Sequence, residues 1–255
     1  MAKIEHIFEN LTNGATYYGK VFTVNPKKRV NNRADLMVFA AVPALGLDLV
    51  TMPEGTIVMI NESGAPVPFY VAKHDYESGL NGEGRTLLVR KDIHSNRVWN
   101  SGSGSVYAGS DIDVWFNDTY IYTLDSKVRS AIGTTKFKNA KGSGDYTITT
   151  VQRGVFALSA TEFGMGSISY YPDGEGETLP IANTLKIAYL NGTAANHWMR
   201  TPWVGNANAA GFVNKSGKED GVATNSSQGA RPCFTLPADT KLSMEPNADG
   251  SYSLL

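Results

Sequence analysis

Few residues of this chain have both the type and the spacing that catalysis needs. Asp111 and Asp113, in Ser110-Asp111-Ile112-Asp113, would act as an acid–base pair only if they faced each other across a substrate bond. Two residues apart on a helix they do not. They suit the first turn of a helix capped by Ser110, where the dipole favours negative charge. His6, His74, His94 and His197 are scattered, and no His/Cys/Asp group has metal-ligand spacing. Ser101-Gly102-Ser103-Gly104 lacks the lysine and the following helix of a phosphate loop. The expectation is therefore a protein that is not an enzyme and takes neither metal nor cofactor.

Recognition chemistry is more visible. Two apolar runs punctuated by Arg and Pro, His197-Trp198-Met199-Arg200-Thr201-Pro202 and Gly229-Ala230-Arg231-Pro232-Cys233-Phe234-Thr235-Leu236-Pro237, enclose a polar, Gly/Asn-rich stretch. That stretch is about 25 residues long, with neither helix nor strand periodicity, and irregular segments of this length are functional or disordered. A frame on both sides points to function. The candidate ligand-binding residues are Trp203, Asn206, Asn208, Asn214, Lys215, Asn225 and Ser226. An aromatic ring can stack on a sugar face while amides bond its hydroxyls. Trp203 folded back onto the core is the alternative reading. Trp198, Arg200, Pro202, Arg231 and Pro232 are assigned to holding the loop. A guanidinium has five donors for unpaired loop carbonyls, and proline fixes the backbone at the loop exits. An anionic ligand is the alternative partner for the two arginines.

Composition narrows the class. The chain has 255 residues, a formal net charge of -1 and one cysteine, Cys233. The length is enough for a sizeable core. The charge lacks the basic footprint of a nucleic-acid binder, and no polybasic block is present for a membrane surface. No apolar run is long enough for a spanning helix, and Met1-Ala2-Lys3-Ile4-Glu5-His6 has no signal-peptide core. One cysteine allows no intrachain disulfide, so assembly in a reducing cytoplasm is expected.

The elements that must position these residues read as α+β. Ala15–Val24 alternates like a strand and Leu36–Ala41 returns, which makes a long-looped hairpin followed by a linker to Gly46. Short strands are expected at Thr56–Ile60, Val67–Ala72, Arg85–Arg90, Tyr146–Val151 and Val155–Leu158. Helices are expected from Asp111, with Ile112, Trp115, Phe116 and Tyr120 as apolar face, and from Asp125 to near Gly133. Leu179–Leu190 has helical spacing, with Asn191-Gly192 read as its stop.

Two resemblances add to this reading. Asn10-Leu11-Thr12-Asn13-Gly14-Ala15-Thr16-Tyr17 is similar to the end of a fibronectin type III domain, with Leu11 six residues before Tyr17 as in its tyrosine corner. Four further signatures resemble a C-type-lectin-like family found in gut-bacterial surface proteins and phage tail proteins, distantly related in fold to formylglycine-generating enzymes. They are Tyr107–Asn117, Val155–Glu162, Trp198-Met199-Arg200-Thr201-Pro202 and Gly229-Ala230-Arg231-Pro232-Cys233-Phe234, in that order. Formylglycine-generating enzymes use cysteines, and the lone Cys233 argues against their activity.

The resemblance implies an organisation and a role. Residues 1–46 would be a fibronectin-like fragment, and residues 47–255 a C-type-lectin-like domain. The segment between the anchors would be a variable display surface, of the kind that diversity-generating retroelements mutate. The function expected is a phage virion protein of tail or fibre type that binds a host cell-surface glycan or protein. The alternative is a structural virion protein whose loops contact neighbouring subunits. Expected partners are other virion subunits and further copies of the chain, because an isolated hairpin is marginal and open edges invite pairing. Nucleic acid and membrane insertion are not expected. The place implied is the virion, assembled in the host bacterial cytoplasm.

Overall fold

A computed structural model describes residues 46–165 and 170–255. The hairpin expected at 15–41, with its fibronectin-like resemblance, lies outside the described residues. From Leu47 onward the chain forms one compact unit.

Strands are numbered along the chain. A six-strand sheet runs, in spatial order, β17 (Tyr252–Ser253), β2 (Ile57–Glu62), β3 (Ala65–His74), β4 (Arg85–Arg90), β15 (Cys233–Pro237) and β8 (Val155–Phe156). A five-strand sheet runs β13 (Glu219–Ala223), β12 (Ala209–Val213), β11 (His197–Pro202), β14 (Ser227–Ala230) and β5 (Ser95–Val98). Three ribbons complete the set: β6 (Thr135–Gly142) with β7 (Asp145–Arg153), β9 (Ala188–Leu190) with β10 (Thr193–Ala195), and β1 (Leu47–Asp48) with β16 (Lys241–Leu242). The α-helices are short: α1 (Ser78–Asn81), α2 (Asp111–Asp118), α3 (Ser126–Ala131) and α4 (Ala182–Leu185). No helix among the described residues is long and apolar enough to cross a membrane.

The α+β, C-type-lectin-like expectation is corrected by this architecture. Strands hold 41% of the described residues against 14% in helix, spread over several sheets, so the unit is mostly β, and no lectin fold is confirmed. Two local misreadings explain much of the difference. The Leu179–Leu190 run is helical only over α4, and its end is strand β9. Asn191 and Gly192 both have positive φ, 50° and 78°, and they turn the β9–β10 hairpin. Asn-Gly is the favoured pair for that turn as well as a helix stop. The stretch after Pro202 was expected to be irregular. It contains β12, β13 and β14, whose alanines and glycines carry little strand signal.

Other elements follow their local chemistry. Ser110 caps α2 by accepting from the Asp113 amide, with Asp111 and Asp113 in the first turn. Asp125 caps α3. The core lies between the sheets and these helices. It includes Phe69, Leu88 and Phe234 from the six-strand sheet, Ile112 and Phe116 from α2, and Trp198 and Met199 from β11. All six residues of β11 are buried, so the strand is covered on both faces.

Arg231 ties this packing together. Its Nε donates to the carbonyl of Arg90 at 2.8 Å, its Nη2 to that of Lys91 at 2.8 Å, and its Nη1 to that of Leu185. Burial pulls its pKa down to about 10. Arg231→Ala orphans three carbonyls, each costing about 1–3 kcal/mol. Urea unfolding should show a loss of at least about 3 kcal/mol, with Arg231→Lys failing to restore it because an ammonium cannot reproduce the planar fork.

Candidate functional site

The sequence anchors meet in the core. Arg200, with no solvent exposure, forms a two-pronged ion pair with Glu162: Nη1 to Oε2 at 2.6 Å and Nη2 to Oε1 at 3.0 Å. The same guanidinium donates to the carbonyls of Ala157 at 2.9 Å, Lys138 at 3.1 Å and Glu175 at 3.1 Å. It lies 4.7 Å from the centre of the Phe137 ring. Glu162 also accepts from the Ser159 amide at 2.8 Å and from the Tyr76 hydroxyl. Burial, then the charge of Glu162, hold the Tyr76 phenol well above its ordinary pKa.

A second carboxylate shares this core. Glu175 accepts from the Ala140 amide at 2.8 Å and from the Thr201 hydroxyl. Burial pushes it up to about 7, and Glu162 adds to the push against Arg200 and those two hydrogen bonds. Arg200 bonds the main chain of Glu175, while its ion pair goes to Glu162. A charge on Glu175 therefore stands in the core without a guanidinium on its oxygens.

A separate cluster sits near β5. Glu62 accepts from Arg90 Nε and Nη2, each at 3.0 Å, and from the Tyr120 hydroxyl at 2.8 Å. His94 Nδ1 is 2.9 Å from Ser95 Oγ, and His94 Nε2 is 3.8 Å from Glu62. The order of atoms is that of a nucleophile, base and acid. Both Glu62 oxygens are already committed to Arg90, however, and 3.8 Å is beyond hydrogen-bond reach. The arrangement holds β2, β4 and the Tyr120 turn together. Among the described residues no group of three or more His, Cys, Asp or Glu is placed to hold a metal.

The accessible chemistry lies at the end of β11. Trp203 is half-buried. Its ring is 5.0 Å from that of Tyr170, which is 48% exposed, and meets Tyr171 edge-on at 5.4 Å. Gly211 and Gly221 face each other across β12 and β13 and make the floor. A Cβ on Gly211 would stand 2.6 Å from the Tyr171 ring, and one on Gly221 would overlap the Trp203 indole. Tyr171 donates to the Asp220 carbonyl at 2.9 Å, and the Tyr146 hydroxyl accepts from the Gly205 amide at 2.8 Å and donates to the Trp203 carbonyl at 3.3 Å. The result is an aromatic shelf with one freely exposed ring.

The structure divides the candidate ligand residues between two places. Trp203, Asn206, Asn208, Asn225 and Ser226 lie at one end of the β12–β13 hairpin. There Asn208 Oδ1 accepts from Gly104 at 3.1 Å, its carbonyl accepts from Thr224 at 2.9 Å, and Ser143 Oγ reaches the Ala207 carbonyl at 3.5 Å. Asn214 and Lys215 lie at the other end, about 13 Å away by strand rise over four residues. Asn214 Oδ1 accepts from the Ser216 amide, the Ser216 hydroxyl and the Lys218 amide, so it builds its own turn. Asn206 Oδ1 likewise accepts from the Asn208 amide at 2.9 Å. The exposed amide of Asn225 belongs to the shelf end. Of the residues assigned to holding the loop, Trp198, Arg200, Pro202, Arg231 and Pro232 are all buried. Trp198 donates its indole N–H to the Arg97 carbonyl at 2.8 Å.

Sequence reasoning missed Tyr76, Glu175, Tyr170, Tyr171 and the glycine floor. Glu162 alone carried a signal, as the acidic end of Val155–Glu162. The four signatures meet in space. The Ala157 amide donates to the Tyr107 hydroxyl at 3.0 Å, Asn117 accepts from Gly154 and Val155 at 3.1 Å, Glu162 pairs with Arg200, and Cys233 and Phe234 pair in the sheet with Phe156 and Val155.

Residues 83–238, more than half of the chain, match the family model described as a domain of unknown function, DUF6273. The chain belongs to that family. No curated protein and no solved structure matches it. The matched span contains all four signatures, both buried ion-pair residues and the shelf.

Two outcomes follow from the buried network. Arg200→Ala strands Glu162 in the core, which should cost about 3–5 kcal/mol in chemical unfolding. A loss below about 1 kcal/mol would contradict the network's structural role. Glu175, with its folded pKa above the ordinary 4.5, keeps its proton between about pH 4.5 and 7, where the unfolded chain has released it. Its contribution to stability therefore rises as pH falls from about 8 towards 5. His94 and His197, both pulled down chiefly by burial, act in the opposite direction at the acid end. The comparison to make is wild type against Glu175→Gln, which should flatten the profile between pH 8 and 5.

Proposed function

We propose that this chain is a surface-displayed binding protein whose aromatic shelf takes a ligand bearing pyranose faces. The observation that carries the reading is the Tyr170–Trp203 ring pair on its Gly211/Gly221 floor, with exposed Asn206 in the turn that follows Trp203. A flat ring surface matches the C–H face of a sugar, and neighbouring amides match its hydroxyls. Aromatic rings on a rigid backing lose little entropy when they bind. The four ordered signatures support a virion location of tail or fibre type, with a host-cell-surface glycan as ligand and other virion subunits as neighbours.

A second reading is a structural virion protein, and one observation favours it. At the far end of the hairpin, Ile187, 43% exposed, lies beside Gly217, and Tyr189, two residues on, is 44% exposed, an apolar pair suited to a subunit contact.

A glycan array and host-cell binding separate the two. Trp203→Ala and Tyr170→Ala should each weaken binding by roughly tenfold or more, as expected for aromatic anchors. Tyr170→Ala should leave stability within about half a kcal/mol. Asn214→Ala should leave binding unchanged. No glycan bound by the wild type, together with loss of self-association in Tyr189→Asp, would favour the structural reading.

A further inference from the structure

The buried carboxylates and the aromatic shelf are built on the same two chain segments. In β11, Thr201 bonds Glu175 through its hydroxyl and stands two residues before Trp203. In the segment leading to Glu175, Tyr170 and Tyr171 supply the other two rings. Glu175 is thus rooted beneath both sides of the shelf, with the Tyr171–Trp203 contact closing the circuit.

The surroundings of Glu175 make its charge consequential. From β11 come Arg200 and Thr201. From the chain after β8 come Ser159 and Glu162, and Ser159 Oγ donates to the Glu175 carbonyl at 2.7 Å. From β6 come the Ala140 amide and the Lys138 carbonyl that Arg200 holds. Tyr76 and Glu77 approach from the start of α1, and Cys233 lies in β15 beside Glu162 and Arg200. Within its own segment, exposed Glu177 pairs with half-buried Lys73 at 2.6 Å. Gly176, at φ 104°, lies between carboxylates: a Cβ there would stand 3.0 Å from Glu77 Oε1 and 3.1 Å from Glu162 Oε1. One fully buried guanidinium thus faces Glu162 and Glu175 together, and its ion pair is made with Glu162. Neutral Glu175 leaves the fully buried part of the cluster balanced, and ionised Glu175 leaves it one negative charge in excess.

We propose that the protonation state of Glu175 sets the packing of the Tyr170–Tyr171–Trp203 shelf, so that the ligand surface is firm when Glu175 is neutral and loosened when it is charged. The proposal rests on the reading of the shelf as the ligand surface. Loosening follows from the geometry. A charged Glu175 has neither solvent nor a guanidinium on its oxygens, burial penalises it more than Arg200 attracts it, Glu162 repels it, and its segment is the one that carries Tyr171 onto Gly211. Protonation also weakens the Thr201 bond, because a neutral carboxyl is a poorer acceptor for that hydroxyl than a carboxylate, while the hydroxyl oxygen itself accepts from the Ala160 amide at 2.8 Å. Burial places this change near neutral pH, where small shifts in acidity alter the populations.

The test needs no ligand. In the full chain, the indole N–H signals of Trp99, Trp115, Trp198 and Trp203 are followed by nitrogen-15 NMR from pH 5.5 to 8.5, with Trp203 assigned by Trp203→Phe. The Trp203 signal should move with a midpoint near pH 7 in the wild type and stay still in Glu175→Gln, while Trp198, held by the Arg97 carbonyl, stays still in both. Should Glu175→Gln fail to fold, Thr201→Val replaces it: loss of the hydroxyl bond should raise the midpoint. A Trp203 signal that does not titrate, that titrates equally in Glu175→Gln, or whose midpoint ignores Thr201→Val, overturns the coupling. The shelf as a binding surface is judged separately on the glycan array, so failure of one reading is distinguishable from failure of the other.

Discussion

The Arg200–Glu162 ion pair is the constraint on which the rest of this structure depends. A guanidinium without solvent has to find its partners where it stands, and those of the two Nη groups come from β6, the segment after β8 and the segment around Glu175, while Nε has none. Each of these pieces is irregular or weakly strand-forming by itself. Their convergence on one side chain fixes where they lie. Replacement of such a pair by apolar residues is often neutral, whereas removal of one partner is not. Its value is therefore in specifying one arrangement of loops, with little margin for alternatives.

The same economy governs the surface. The shelf rings are held from below by a glycine pair and from the sides by backbone hydrogen bonds to Tyr146 and Tyr171. Glycine is unfavourable in a strand because it has no side chain to pack and loses more freedom on folding. At Gly211 and Gly221 that cost is offset by aromatic rings lying directly on the backbone. Loop chemistry and core chemistry are thus one structure: the residues that close the core in β11 continue into the residues that face outward. This continuity is what makes the ionisation of a buried carboxylate relevant to an exposed ring.

Asparagine serves geometry here more than recognition. Asn214 and Asn206 each use their side chains to satisfy nearby backbone groups, as short amide side chains do in turns, and Asn117 ties α2 to the distant amides of Gly154 and Val155. A polar, Asn-rich stretch is easily mistaken for a binding surface because the composition is the same. Only the hydrogen-bond partners separate an amide that builds a turn from one, such as Asn225, that lies exposed at the shelf.

Residues near one another in the chain were legible from types and spacing. Ser110 and Asp125 mark their helix starts, and short β-prone runs mark β2, β3, β4 and β7, because caps and short runs depend on neighbours a few positions away. The anchor motifs around Arg200 and Arg231 were visible as motifs. The mostly β architecture was not, because Asn191-Gly192 fits a helix end and a hairpin equally, and the alanine- and glycine-rich strands β12 and β13 have rings from distant segments packed on Gly211 and Gly221. The partners of Arg200 were also out of reach. Glu162 lies 38 positions from Arg200 and Lys138 62, and no spacing rule connects them. Local propensity is written in adjacent residues. Burial, charge balance and the pairing of distant segments arise only when the chain closes on itself, and at Arg200, Glu175 and Trp203 they decided the outcome.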